Sequence, residues 1–473
     1  MSKGKLLTCA TAVGIVTVLV VIAPLVLVAT TPVGVPGEAS ERAEEMAEEM
    51  AVMSGRAHAQ AEAEEMGREG WTPRTHVPAA AGWNSEKKVA SSNDWEPAIA
   101  ADPSAPYVYI LTTRNGGTRI ALCRSLDGGV TWDSGTFVPE TGGWQADPQI
   151  VTDASGNVYI AVLTHTWSVV VMKSTDHGVT WTAPVNVIGD VTWADHPWLA
   201  VSDDGQDVYV GFNMRVNYQV ASHDGGVTWG APVMTSDAAD PDYYFSVGAT
   251  ILPDDTVVFA DAAYGTPYNA NAYKMPIDSW AIRSVDGGTT WSQVYIDTMA
   301  APPICDSYGC PKAMYGSQPS VASDDNGKLL YVYSGGTKAS GPQRIWVTTS
   351  ADGGVTWTPR IPVSPRKVPV AYMPQAVGTG NGDFRVMWAD NRNGAKLFNV
   401  WYRETTDGGL TWGPTARLSN VGGGPSYKHA GGFQYFYGDY GEIDITNTGK
   451  TIATWSESNN YMGPGNTWYA KET

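Results

Sequence analysis

The sequence predicts an all-β protein in which seven four-stranded sheets close into a seven-bladed β-propeller, a six-bladed ring being the alternative. Three observations lead there. An octapeptide, Ser/Thr-x-Asp-x-Gly-x-Thr-Trp, recurs six times, at 125–132, 174–181, 222–229, 284–291, 350–357 and 405–412. A pair of alternating strands opens each unit, marked by Glu96-Pro97, Asp147-Pro148, His196-Pro197, Gln318-Pro319 and Met373-Pro374. Two further copies lack the proline and begin at Tyr243 and Asp439, so the pair appears seven times. Finally, 52 glycines and 30 prolines in 473 residues punctuate the chain too often for long helical bundles.

In chain order, Lys3 and Lys5 precede an uncharged, mostly apolar run from Leu6 to Thr30. Twenty-five residues are long enough to span a bilayer, and a secretory signal has the same charge order. Residues 1–31 are therefore read as a transmembrane signal anchor or a cleaved signal peptide. Either reading places the remainder outside the cytoplasm, anchored at the cell surface or secreted. Residues 32–80 are rich in Ala, Glu, Met and Arg, as in the run at 41–50, and carry few large apolar side chains. That composition fits a helical acidic stalk or linker. The propeller is assigned to 81–473.

Within each octapeptide, Asp followed by Gly suits a hairpin turn. Glycine supplies positive φ, and the Asp and Ser oxygens satisfy turn amides. The box aspartates, Asp127, Asp176, Asp224, Asp286, Asp352 and Asp407, are accordingly structural. The seventh unit ends at Trp468-Tyr-Ala-Lys with three strands. A strand near Trp83-Asn-Ser-Glu-Lys-Lys-Val-Ala supplies the missing fourth and closes the ring, which removes an exposed sheet edge.

In a four-stranded blade, the loop leading into the innermost strand and the loop after the second strand share one face, opposite the boxes. Glu96, Asp147, Asp195, His196, Tyr244, Gln318, Tyr440 and Glu442 are expected around that mouth. Arg114, Arg215 and Arg392 reach it from three blades. Three guanidinium groups suit a carboxylate, because the planar fork binds it through paired charge-assisted hydrogen bonds. The bland reading pairs each arginine with a nearby Asp. Insertions at about 261–280, 295–316 and 419–438 bring Tyr264, Tyr268, Tyr273, Tyr308, Tyr315 and Tyr427 to the same face, where an aromatic rim favours sugar rings.

The octapeptides resemble the Asp-box, or BNR, repeats of the sialidase superfamily of β-propellers, over roughly residues 83–473. Propellers of that superfamily usually have six blades, and they open with a Phe/Tyr-Arg-Ile-Pro signature that has no counterpart near the first blade. The string Pro359-Arg360-Ile361-Pro362 instead follows the fifth box. The resemblance implies three arginines on the substrate carboxylate, an Asp acid/base and a Tyr nucleophile activated by Glu. Carried onto this chain, Tyr440 with Glu442 is the nucleophile pair and Tyr437 the fallback. Asp147 or Asp195 is the acid/base. Arg114, Arg215, Arg392, His196, Glu96 and Gln318 bind substrate.

With 30 Lys plus Arg against 48 Asp plus Glu, the formal charge of −18 opposes nucleic acid and anionic membrane surfaces. No metal or cofactor pattern is present. Cys305 and Cys310, four residues apart, suit a small disulfide loop in an oxidising compartment or a pair of free thiols. The functional expectation is an exo-acting, sialidase-like glycoside hydrolase on acidic glycans. The competing one is a non-catalytic glycan- or protein-binding propeller.

Overall fold

The structure, a computed structural model, describes residues 78–473 apart from 91–93, 115–118, 241, 266–274, 304–316, 394–397, 420–434, 437–440 and 459–464. The expected anchor, nearly all of the stalk, and Cys305 with Cys310 lie outside the described residues. Among the described residues no helix is long and apolar enough to cross a membrane.

Seven antiparallel sheets form the seven blades, and six of them take their four strands in unbroken chain order. The seventh is the expected composite, although with five strands, because Tyr435–Phe436 also pairs with Thr451–Ser458. Its outer strand, Lys87–Ala90, pairs with Gly465–Lys471 through Lys87 opposite Tyr469 and Lys88 opposite Trp468. Trp83 bridges Glu472 beyond the strand end. The last C-terminal strand thus gains a partner from the start of the propeller, and the ring closes.

The core lies between blades. One apolar layer joins Leu111 and Ile120 of the first blade to Ile150 and Ile160 of the second. Another joins Val258 and Ala260 of the fourth blade to Leu329 and Tyr331 of the fifth. Strands whose two faces are both covered read as near-continuous apolar runs, as in Val108–Arg114 and Val158–Thr164.

The boxes sit between third and fourth strands, and each satisfies itself. In the first, Thr131 donates its N–H to Asp127 Oδ1 at 2.8 Å and its hydroxyl to Asp127 Oδ2 at 2.6 Å, while Gly129 N–H donates to Ser125 Oγ at 2.8 Å. Hydrogen bonds from Thr131 hold the Asp127 carboxyl down at about 2, and the second, third, fifth and sixth box aspartates are held there by their own threonines. The box tryptophan then packs on the preceding blade: Trp132 meets Tyr469 edge-on at 4.9 Å, and Trp291 meets Tyr209 at 6.3 Å.

Candidate functional site

The innermost strands do not begin regularly. At Trp95–Ala101, Gln145–Thr152, Asp195–Val201 and Ala371–Thr379 the register slips by a two-residue bulge, so that Trp95 pairs with Thr113 but Ala98 with Leu111. The bulged residue before each proline adopts φ of 51° at Glu96, 48° at Asp147, 48° at His196 and 49° at Met373. Left-handed backbone costs a non-glycine residue about 1–2 kcal/mol. Bulges re-aim side chains, and here they set Glu96, Asp147 and His196 at equivalent positions on three consecutive blades.

Each is closely held. Thr113 donates its hydroxyl to Glu96 Oε2 at 3.1 Å. His196 Nδ1 lies 3.0 Å from the Ser246 carbonyl, which makes Nδ1 the protonated nitrogen, and the ring meets Phe245 edge-on at 5.3 Å. Asp147, Asp195 and Gln318 are buried, with Asp195 opposite Asn213 in the ladder. Glu442 reaches the first blade, where its Oε2 accepts Ile99 N–H at 2.8 Å, and Asp444 accepts Ala101 N–H at 2.7 Å. Burial pushes the Glu442 carboxyl up to about 8 and Asp444 to about 6. Glu442 therefore carries its proton at neutral pH. Tyr440 and Tyr437 lie outside the described residues.

Each arginine has partners on its own side of the ring. Arg114 Nε donates to Asp94 Oδ1 at 3.0 Å. Arg215, at φ 65°, spends its guanidinium on the carbonyls of Asp240, at 2.6 Å, and Ala238, at 3.1 Å. Arg392 makes a two-nitrogen fork on buried Asp390, with Nε at 2.8 Å and Nη2 at 2.5 Å, and its guanidinium carbon lies 3.8 Å from the Trp401 ring centroid. Among the described residues no hydrogen bond brings two of these arginines to one acceptor. Arg114 and Arg392 each pair with a nearby Asp, whereas Arg215 uses main-chain carbonyls where an Asp was expected.

Two residues depart from the sequence reading or escape it. Tyr264 is not part of an aromatic rim: it closes the strand Val257–Tyr264, is 1% exposed and packs against Phe245 at 5.8 Å. The other five insertion tyrosines lie outside the described residues. Asp261, overlooked in the sequence, is fully buried at the seam of the third and fourth blades. There it accepts Ser246 Oγ at 2.8 Å and the Asn217 amide, and burial pushes its carboxyl to about 7. Its setting, Val-Phe-Ala-Asp-Ala-Ala in a strand, is the one signal that marked it. Among the described residues no group of three or more His, Cys, Asp or Glu is placed to hold a metal ion.

On the box side of the ring, a cavity of about 590 Å³ opens among the far ends of the inner strands, walled by Ser202, Thr250, Ser323, Asp324 and Asp444. With this ring and its boxes described, comparison with known proteins is decisive at family level: residues 191–435, more than half of the chain, match the family model for the BNR repeat-like domain. The chain belongs to that family. This BNR propeller is 26% identical over 276 residues to a sialidase from Bacteroides fragilis, a match covering 51% of this chain and 48% of that relative. The chain thus spans about half the length of the curated relative it matches. It shares its fold with an ulvan lyase, a polysaccharide lyase solved with a bound saccharide, at TM-score 0.50 and 12% identity, covering 84% of this chain and 95% of the lyase. A sialidase from Streptococcus pneumoniae is similar at TM-score 0.45 and 12% identity, over 85% of this chain and 70% of that one.

Proposed function

We propose that this BNR propeller is a sialidase-like glycoside hydrolase, exo-acting on acidic glycans and working outside the cytoplasm, anchored at the cell surface or secreted. One observation carries the reading. Glu442 is a carboxylic acid that keeps its proton up to about pH 8, on the innermost strand of a ring whose bulges present Glu96 and Asp147 on the next two blades. A carboxyl group whose pKa is lifted toward neutrality is what general acid–base chemistry on a glycosidic bond requires. Likeness to the Bacteroides fragilis sialidase supports the substrate class. In this reading Asp147 or Asp195 moves the proton at the leaving oxygen, Tyr440 attacks as its phenol proton passes to the ionised fraction of Glu442, which grows as pH approaches about 8, and Arg114, Arg215 and Arg392 orient the sugar acid with Glu96, His196 and Gln318. The extracytoplasmic setting is supported by the apolar run 6–30 behind Lys3 and Lys5.

A second reading, a glycan-binding propeller without turnover, is favoured by one observation: all three guanidinium groups already have local partners. The full chain assayed on a fluorogenic sialoside and a panel of other glycosides, from about pH 4 to about pH 8, separates the two. Turnover of the sialoside is expected. Binding of sialosides by calorimetry with no turnover at any pH would replace the hydrolase with the binding propeller.

A further inference from the structure

The box turns carry one feature that their structural role leaves unused. The residue between the second glycine and the threonine is apolar and exposed in five of six boxes: Val130, Val179, Val227, Val355 and Leu410, between 50% and 76% exposed. Single exposed apolar side chains are ordinary on a protein surface. A set repeated at one position around one face is not. The turn beneath each tip has also dealt with its own donors. In the fifth box, Val355 and Thr356 N–H both donate to Asp352 Oδ1, and Gly354 N–H donates to Ser350 Oγ. Such a tip can meet a surface of low polarity without stranding amide groups.

The chain path points the same way. Gly82 accepts the N–H of Thr473 at 2.8 Å, and Asn84 donates to Lys471 O at 2.8 Å. Lys87 Nζ donates to the carbonyl of Val130, a box tip, at 2.7 Å. The described chain therefore enters the propeller on the box face at 82–87, and the uncharged run 6–30 lies upstream in the sequence.

We propose that the box face docks on an uncharged, zwitterionic lipid surface, with the valine and leucine tips at the headgroup–acyl boundary and the mouth turned to the solvent. The inference rests on the membrane-anchored reading given above. A chain of formal charge −18 is repelled by anionic lipid, which leaves zwitterionic headgroups as the partner. Each tip contributes little, but tethering raises the local concentration of the lipid surface, so weak contacts suffice. The ionised box aspartates limit the depth to the tips themselves.

The test uses the full chain in phosphatidylcholine vesicles, with flotation reading attachment and hydroxyl-radical footprinting reading the face. Leu126, the exposed second residue of the first box, and Val355 are expected to be at least about threefold less modified than their exposure predicts, while Met275, exposed on the mouth side, reacts normally. The exposed pair of substitutions Val227→Asp and Leu410→Asp should restore Leu126 and Val355 without changing flotation. Flotation with Leu126 and Val355 modified as fully as their exposure predicts overturns the docking and leaves anchoring in place. Failure to float removes anchoring and the docking with it. Protection that persists without vesicles and grows with protein concentration assigns the face to a second copy and overturns the proposal.

Discussion

Glu442, on the last blade, accepts the amide N–H of Ile99, on the first, at 2.8 Å across 343 residues of sequence. The innermost strand of every blade has a free edge at the axis, with N–H groups that no further strand can pair. Glu442 and Asp444, two residues apart and so on one side of their strand, cap two such groups, Ile99 and Ala101. Burial at this junction of last and first blades raises the Glu442 pKa, and the hydrogen bond from Ile99 offsets only part of that rise.

That coupling fixes a pH dependence. Glu442 goes from 4.5 when unfolded to about 8 when folded, so between those values the native state holds a proton that the unfolded chain has released. Stability therefore falls as pH rises through this window. Glu442→Gln keeps an acceptor for Ile99 and removes the titration. Melting curves should show the variant losing less Tm than the wild type between about pH 5 and pH 8. Parallel curves would mean that Glu442 ionises as it does in the unfolded chain.

The two glycines of a box are not equivalent. Gly128, at φ 69°, has only Lys471 Nζ at 3.5 Å from an added Cβ, whereas at Gly129, at φ 83°, that Cβ would lie 1.8 Å from Tyr469 Oη. Gly128→Ala should cost about 1 kcal/mol for left-handed backbone. Gly129→Ala adds overpacking against the seventh blade, about 1–3 kcal/mol more. Urea unfolding checks the order, and equal losses would show that Tyr469 moves aside freely.

The fold was legible because closure is written in repetition: six boxes, seven strand pairs, and an orphan strand at Trp83 for a three-stranded last blade. The mouth was legible only in part. Topology put Glu96, Asp147 and His196 at the start of inner strands, but not the bulges that hold them at positive φ. The arginines illustrate the limit. Position after a second strand says which rim a guanidinium reaches, whereas its partner depends on main-chain carbonyls such as Ala238 O, which sequence does not mark. Asp261 hid in an apolar strand because its two partners, Ser246 and Asn217, arrive from other strands.

Arg215 is held at φ 65° with its guanidinium on two carbonyls of the segment 238–240. Arg215→Lys keeps the charge but not the fork, so the loop should loosen. Hydrogen exchange over 236–242 is expected to rise about tenfold, with Tm lower by about 2–4 °C. A sialoside KM that rises while exchange and Tm stay fixed would instead assign Arg215 to the substrate.

The strand Lys87–Ala90 tests closure most directly. It covers the outer edge of Gly465–Lys471, and the segment leading into it packs Trp83 against Tyr402 at 4.8 Å, within a core shared by the last two blades. A variant beginning at residue 78 retains all of these contacts. One beginning at residue 91 leaves the Gly465–Lys471 edge unpaired and uncovers Tyr402, so it loses both the ladder and the apolar layer behind it. The shorter variant should melt at least about 5 °C lower and associate through the bared edge, seen by light scattering. Coincident melting of the two as monomers would mean that the seventh blade holds without its outer strand and that closure lies in the interblade core alone.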